Sequence, residues 1–441
     1  MWGVRAMQMN ELCLAKAVNK NEKPLQQHTL RGHSENVLAA FIGLFGGRST
    51  PLRLAECWLR FHKLDAGRYE AFWNHGALAA CLHDLGKANS EFQKMARGTC
   101  ILQPLRHEDI SVLMLNLPEY KAWLETIQGI YPILLEAAIV GHHLRVNHEC
   151  FGRCREDKPF RLHASGVDSC FDLAAKVMGM STAPVLSSSH ISWSFKRDAQ
   201  VCIGELADPM RRQFNKRRGN KLYAEDNKPL LQAVRSALIA ADAVGSGLPR
   251  VGKDLMAWLD EVFGSKRLLD ARYIQETVIN RRICAITRPG QTFRWTDFQT
   301  ACDNLPDRTL LLAPCGSGKT LAAWRWISAR LSARPASRVV FLYPTRGTAT
   351  EGFRDYVAWA PESDASLVHG TADFELDAML SNPCDERHDK DFRVDDRLFA
   401  LGYWPRRIFS ATVDQFMGFM QLAYRSICLM PVSLRFQLPI R

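Results

Sequence analysis

The sequence has no stretch of ~18 uninterrupted apolar residues, so no membrane-spanning helix is expected. It also has no continuous apolar core near its start, where residues 1–23 are broken by Asn, Glu and Lys; a secretory signal is not expected. No CxxC pair occurs among the 13 Cys, whose number is odd. That excludes a disulfide frame in which every cysteine pairs and reads as reduced thiols in a cytoplasm. Internal repeats and low-complexity tracts are absent too. Acidic residues are the scarcer charge, 46 Asp+Glu against 57 Lys+Arg, and the resulting +11 suits a polyanionic partner without demanding one.

At 441 residues the chain has room for two or three domains. Histidine is scarce in the second half: only His369 and His388 lie beyond residue 200. The first half reads as helical. Val37, Leu38, Phe41 and Leu44 form one stripe at helical spacing, and Leu230, Val234, Ala237, Leu238 and Ala241 another. Residues 77–82 and 133–140 read as buried helix interiors. From about residue 281, strands expected at 309–313, 338–343, 367–369 and 407–410 alternate with helices expected at 319–331 and 348–358. Such alternation predicts βαβ units and a parallel sheet.

The densest chemistry in the helical half is His83-Asp84-Leu85-Gly86-Lys87, directly after an apolar helix segment. His33, His107, the pair His142-His143 and Asp242 also follow or open helical segments. Ligands from separate helices can converge in a bundle core. Five histidines and two aspartates suffice for two metal sites sharing Asp84, and such donors suit Fe, Mn, Co, Ni or Zn better than Mg or Ca. His28 competes with His33; Ser34 is expected to cap the helix and place His33 at its mouth. His148, Cys150, Cys154 and His163 do not have the spacing of a zinc ribbon or finger. The basic run Arg211, Arg212, Phe214, Lys216, Arg217, Arg218 reads either as a solvated face or as a path for a single strand, with Phe214 stacking on a base.

In this order the residues resemble the HD-domain phosphohydrolases, and more narrowly the HD nuclease domain of the CRISPR-associated type I interference helicase–nuclease. The resemblance spans residues 28–247. It implies that His33, His83, Asp84 and Asp242 hold one metal, that Asp84, His107, His142 and His143 hold another, and that Lys87 faces a phosphate. His83, Asp84 and Lys87 would carry catalysis, with two divalent transition-metal ions, Mn, Fe, Co or Ni.

The second constellation is Ala313-Pro314-Cys315-Gly316-Ser317-Gly318-Lys319-Thr320, a Gly-rich loop opening a helix. Backbone N–H groups of such a loop cradle phosphates, Lys319 reaches the β/γ-phosphates and Thr320 holds Mg²⁺. Ala313 stands where the general pattern has its first Gly. The surroundings resemble the first motor domain of a superfamily-2 helicase over residues 290–420. By that resemblance Gln299 reads adenine, while Thr345, Arg346 and Thr412 grip a nucleic-acid backbone. Asp385-Glu386-Arg387-His388 matches DExH as text but precedes Thr412 and follows no strand, so it reads as a solvated loop. No carboxylate box follows Thr412, and the motor is expected to be incomplete and to turn over little ATP.

The fold expected is therefore multidomain: an all-α HD-type metal-dependent nuclease bundle over 1–265, a linker over 266–290, and a partial α/β RecA-like P-loop domain over 291–441. The resemblance implies a cytoplasmic enzyme cutting single-stranded DNA exposed by a guide-RNA interference complex, with ATP and Mg serving the parent helicase. An HD phosphohydrolase acting on nucleotides and an inactive remnant are the alternatives.

Overall fold

The computed structural model describes residues 12–16, 25–99, 103–142, 151–153, 157–186, 191–215, 227–250, 252–263, 268–361, 364–368 and 406–420. The chain divides into two compact units: the first runs to Leu255 and the second begins at Met256.

The first unit is built on α1 (Leu30–Phe45), α2 (Tyr69–Leu82), α3 (His107–Leu115), α4 (Pro132–Val140), α5 (Ala164–Met178) and α6 (Asn227–Arg250). Helix α1 starts at Thr29, whose Oγ1 accepts from Gly32 N, and stops at Gly46, which turns with φ 97°. Its apolar stripe buries Val37, Phe41, Leu44 and Phe45 completely or nearly so. Helix α2 is buried along almost its whole length, Phe72 through Leu82, with Asn74 and His75 as the polar residues in that stretch. It packs against α1, α4, α5 and α6, and α6 in turn lies on α1 and α4. Pro132 begins α4 at a position where its missing N–H costs nothing, and Gly141 follows its end.

Two expectations are corrected here. Ser34 is no cap: the helix begins at Leu30, so His33 sits one turn inside, and Ser34 faces Cys170 Sγ at 3.7 Å. The unit is also not all-α. Phe160–Arg161, Ser192–Ser194 and Val201–Cys202 form a small sheet, and Gly46–Gly47 pairs with Thr50–Pro51.

In the second unit α7 (Lys319–Ala333) and α8 (Arg346–Asp355) accompany β1 (Val339–Tyr343), β2 (Ala365–Val368) and β3 (Ile408–Thr412). The strand order is β1-β3-β2, all parallel, with Val339 and Ala365 both opposite Ile408. Every residue of the central strand β3 is buried, as a parallel strand covered on both faces requires. Residues 309–313 have no regular secondary structure and join no strand among the described residues, and Leu310 and Leu312 are 81% and 82% exposed. Residues 266–290, read as a linker, instead include Ile274, Val278 and Ile279, which join Trp324, Leu331 and Ile408 in this unit's core.

Candidate metal centre

His83 and Asp84 follow α2 directly, and both are buried. A short helical turn, Leu85–Ala88, takes the chain away from them. It fits only because position 86 is glycine: a Cβ there would lie 1.9 Å from His107 O. Ser111 Oγ fastens this turn to α3, accepting from Gly86 N at 2.8 Å and lying 2.8 Å from His83 O and 2.9 Å from His107 O. On the opposite side Gly245 lets α6 approach α1 so closely that a Cβ would meet Asn36 and Val37 backbone atoms at 2.8 Å. That contact brings Asp242 beside His33. Arg235 Nε, also on α6, donates to Gly141 O at 2.7 Å and ties down the turn that carries His142.

The donors converge on Asp84, and its two oxygens face different sets. His33 Nε2 lies 3.0 Å, His83 Nε2 3.3 Å and Lys87 Nζ 2.7 Å from Oδ2. His107 Nε2 at 3.4 Å and His142 Nε2 at 3.9 Å approach Oδ1. Asp242 Oδ1 lies 3.4 Å from His33 Nε2 and 3.9 Å from His83 Nε2. Three groups have ligand atoms within 4.8 Å of one another: His33–His83–Asp84, His83–His142–Asp242 and Asp84–His107–His142. Rings are held from behind as well: His83 Nδ1 is 3.1 Å from Ala80 O, and His142 Nδ1 is 2.6 Å from Ile139 O. A carbonyl only accepts, so each Nδ1 carries the proton and each Nε2 lone pair faces the centre.

The electrostatics fit a cation. Burial would raise the Asp84 carboxyl, but His83 and Lys87 outweigh it and hold the group well below the usual carboxylate range. Burial brings His33 down to about 3, with Asp84 opposing. At His83 burial also pulls downward, yet Asp84 and Asp242 prevail and the net shift is upward. An ionised carboxylate beside a buried His83 Nε2 that has no hydrogen-bond partner is a donor set that fits a transition-metal ion.

Six of the seven expected ligands, with Lys87, thus come together; His143 lies outside the described residues. His28 is elsewhere, its Nδ1 accepting from Leu25 N at 3.2 Å. Sequence reasoning missed Ser111 and Ser246, whose Oγ donates to Asp242 Oδ1 at 3.1 Å. Both stand one helical turn after a ligand, and that offset is the signal that would have found them.

The basic run changes character. Phe214 is buried and packs edge-on against Phe151, so it cannot stack on a base. Arg211 is committed to Phe151 O at 3.1 Å and Asp208 at 2.6 Å. Arg212 is exposed. Lys216, Arg217 and Arg218 lie outside the described residues, as do His148, Cys150, Cys154, His369 and the Asp385-Glu386-Arg387-His388 string.

In the second unit Gly316 and Gly318 turn with φ 79° and 80° and open α7. Lys319 Nζ is folded back on Ala313 O at 2.8 Å and Pro314 O at 3.0 Å. Ser317 Oγ is buried with no hydrogen-bond partner, and Thr320 follows in the first turn. Gln299 is buried, closing a capping box with Thr296 and donating to Gly318 O at 3.3 Å. Thr345 caps α8, Arg346 is its first residue and both are exposed; Thr412 ends β3 and is buried.

No protein-family model matches the chain. A curated protein of Myxococcus xanthus (strain DK1622), "Putative CRISPR-associated nuclease/helicase Cas3", is 28% identical over 420 residues, which is 92% of this chain and 52% of the relative. The chain therefore spans about half the length of the curated relative it matches. Among solved structures, T. fusca Cas3-AMPPNP matches at 16% identity and a TM-score of 0.37, over 96% of this chain and 46% of that one. T. fusca Cas3 matches at 19% identity and a TM-score of 0.36, over the same shares. The family resemblance drawn from the ordered histidines and the P-loop and the similarity to the curated relative point the same way: over 92% of its length this chain is similar to a protein described as a CRISPR-associated nuclease/helicase.

Proposed function

We propose that the first unit is a metal-dependent nuclease cutting single-stranded DNA, and that the second binds ATP through its P-loop. One observation carries the first part: Asp84 turns Oδ2 toward His33 and His83 and Oδ1 toward His107 and His142, so a single carboxylate serves two donor sets. His33, His83, Asp84 and Asp242 would hold one ion; Asp84, His107, His142 and His143 would hold the other. Bound divalent ions would supply Lewis acidity toward a phosphodiester. The chain's own residues do the rest. Buried carbonyls keep the His83 and His142 rings oriented, and Asp84 stays ionised. Lys87, whose Nζ lies 2.7 Å from Asp84 Oδ2, would face a phosphate at this centre. In the second unit Lys319 leaves two loop carbonyls for the phosphates, and Ser317 Oγ offers a buried hydroxyl to the same group. Arg212, Thr345 and Arg346 remain exposed candidates for the nucleic-acid backbone.

Similarity to a protein described as a CRISPR-associated nuclease/helicase supports nuclease action, and the family resemblance of the sequence implies DNA displaced by a guide-RNA complex as the substrate. The test is a cleavage assay on single-stranded and duplex DNA after chelation and refilling with Mn²⁺, Co²⁺ or Ni²⁺. Single strands should be cut without ATP, and Asp84→Ala should abolish cutting. Hydrolysis of free nucleotides alone would establish a phosphohydrolase instead.

A further inference from the structure

We propose that the second unit carries a docking surface for single-stranded DNA, formed by Arg281, Arg288 and Arg294 and recognising the phosphate backbone. This rests on the reading above that a single strand is the substrate. From residue 277 to residue 296 the sequence has no Asp or Glu, yet it holds Arg281, Arg282, Arg288 and Arg294. Arg282 is engaged, its guanidinium carbon 4.2 Å from the centre of the Trp359 ring. Arg281, Arg288 and Arg294 are exposed, and their side chains make no hydrogen bond or ion pair among the described residues. Other arginines of the unit are held differently: Arg325 pairs with Asp303, Arg330 with Asp307 and Arg407 with Asp364.

The fold holds all three backbones in place and leaves the charged heads outside. Arg281 lies on the helix Asn280–Ile286, whose Ile283 packs against the unit's core. At ~100° per residue, a side chain two positions from Ile283 projects to the other side of the helix. The helix closes at Thr287, whose N donates to Ile283 O at 3.0 Å and whose Oγ1 donates to the same oxygen at 2.6 Å. Gly290 then turns with φ 80°, and Gln291 N reaches back to Arg288 O at 3.0 Å, so Arg288 opens a tight turn. Arg294 is flanked by Phe293 and Trp295; both pack against the core, and Arg294 between them is exposed. Uncommitted guanidinium groups on an acid-free surface complement a polyanion. Each contact to a phosphate releases counterions from the strand and needs no particular base.

The test is fluorescence anisotropy of a labelled single-stranded oligonucleotide with the full chain, in chelator so that nothing is cut, from ~50 to ~200 mM salt. Arg281→Gln/Arg288→Gln/Arg294→Gln should bind ~10–100-fold more weakly at the lowest salt, and its slope of log affinity against log salt should shrink by ~2, the sum of three lost contacts. Lys at the same three positions should restore most of the slope, since a point charge still meets a phosphate. Arg53→Gln/Arg60→Gln/Arg161→Gln removes as much charge from exposed positions of the first unit and should keep the wild-type slope. An unchanged slope in Arg281→Gln/Arg288→Gln/Arg294→Gln, or an equal fall in the first-unit variant, would overturn the surface and leave the nuclease reading to the cleavage assay. Duplex DNA bound more tightly than the single strand, and lost in the same variant, would overturn the choice of partner. A wild-type chain that binds no DNA would overturn the surface and the DNA reading together. Should the triple variant fail to fold, each single Arg→Gln variant should lower the slope by ~0.7, and three wild-type slopes would overturn the inference.

Discussion

Asp84 and its neighbours make separable claims at the level of single residues. Because its two oxygens face different donor sets, Asp84→Ala should remove both ions, whereas Asp242→Ala and His107→Ala should each remove one. Elemental analysis after chelation and refilling measures this directly; a stoichiometry insensitive to Asp84→Ala would refute the shared ligand. A second buried acid lies away from the centre. Glu136, on α4, is pushed up from 4.5 to about 7 by burial, with the Asn116 hydrogen bond and Lys121 opposing. The sign follows from proton counts. Between these values the unfolded chain has released the proton and the folded chain keeps it, so stability falls as pH rises from 4.5 to about 7 and stays lost above. Glu136→Gln should therefore leave stability near pH 4 unchanged and raise it near pH 8 by on the order of 2 kcal/mol, read from urea unfolding at both pH values.

Between elements, glycine decides how closely backbones meet. Gly86 lets the His83-Asp84 turn lie on α3, and Gly245 lets α6 lie on α1. Gly86→Ala forces a Cβ against a main-chain carbonyl and should destabilise the first unit by about 3 kcal/mol, the upper end for overpacking. Gly245→Ala moves Asp242 off His33 with the milder cost of about 1–2 kcal/mol. It should weaken the ion assigned to His33, His83, Asp84 and Asp242 more than its neighbour. Thermal unfolding and metal titration of the same samples separate the two effects, and an equal loss at both ions would count against the helix-contact account. Helix α7 shows the other side of element-level reading. Its Gly-rich start was legible as text, but residues 309–313 before it pair with no strand among the described residues, because strand formation needs a neighbour and propensity alone provides none.

For the molecule as a whole, two units with separate cores should respond to separate ligands. Refilling with metal should raise only the unfolding transition of the first unit, and Mg-ATP only that of the second. Each should gain ~2.7 kcal/mol at 100 times its dissociation constant. Lys319→Ala should erase the ATP response and keep the metal response. A single transition shifted equally by both ligands in calorimetry would show that the units unfold as one.

The sequence by itself determined what is local and chemical. The apolar stripe of α1, the buried run of α2, the ordered histidines and aspartates, and the P-loop were all readable, because helical period and loop chemistry are written in nearby residues. Tertiary structure decided what depends on distant neighbours. It gave His33, which the sequence reading already preferred to His28, its partner Asp242 from a helix more than two hundred residues later. It turned Phe214 from a stacking platform into core by laying Phe151 on it. It placed Ile274, Val278 and Ile279 in the second core, in one cluster with Trp324 and Ile408, because burial depends on neighbours distant in the chain.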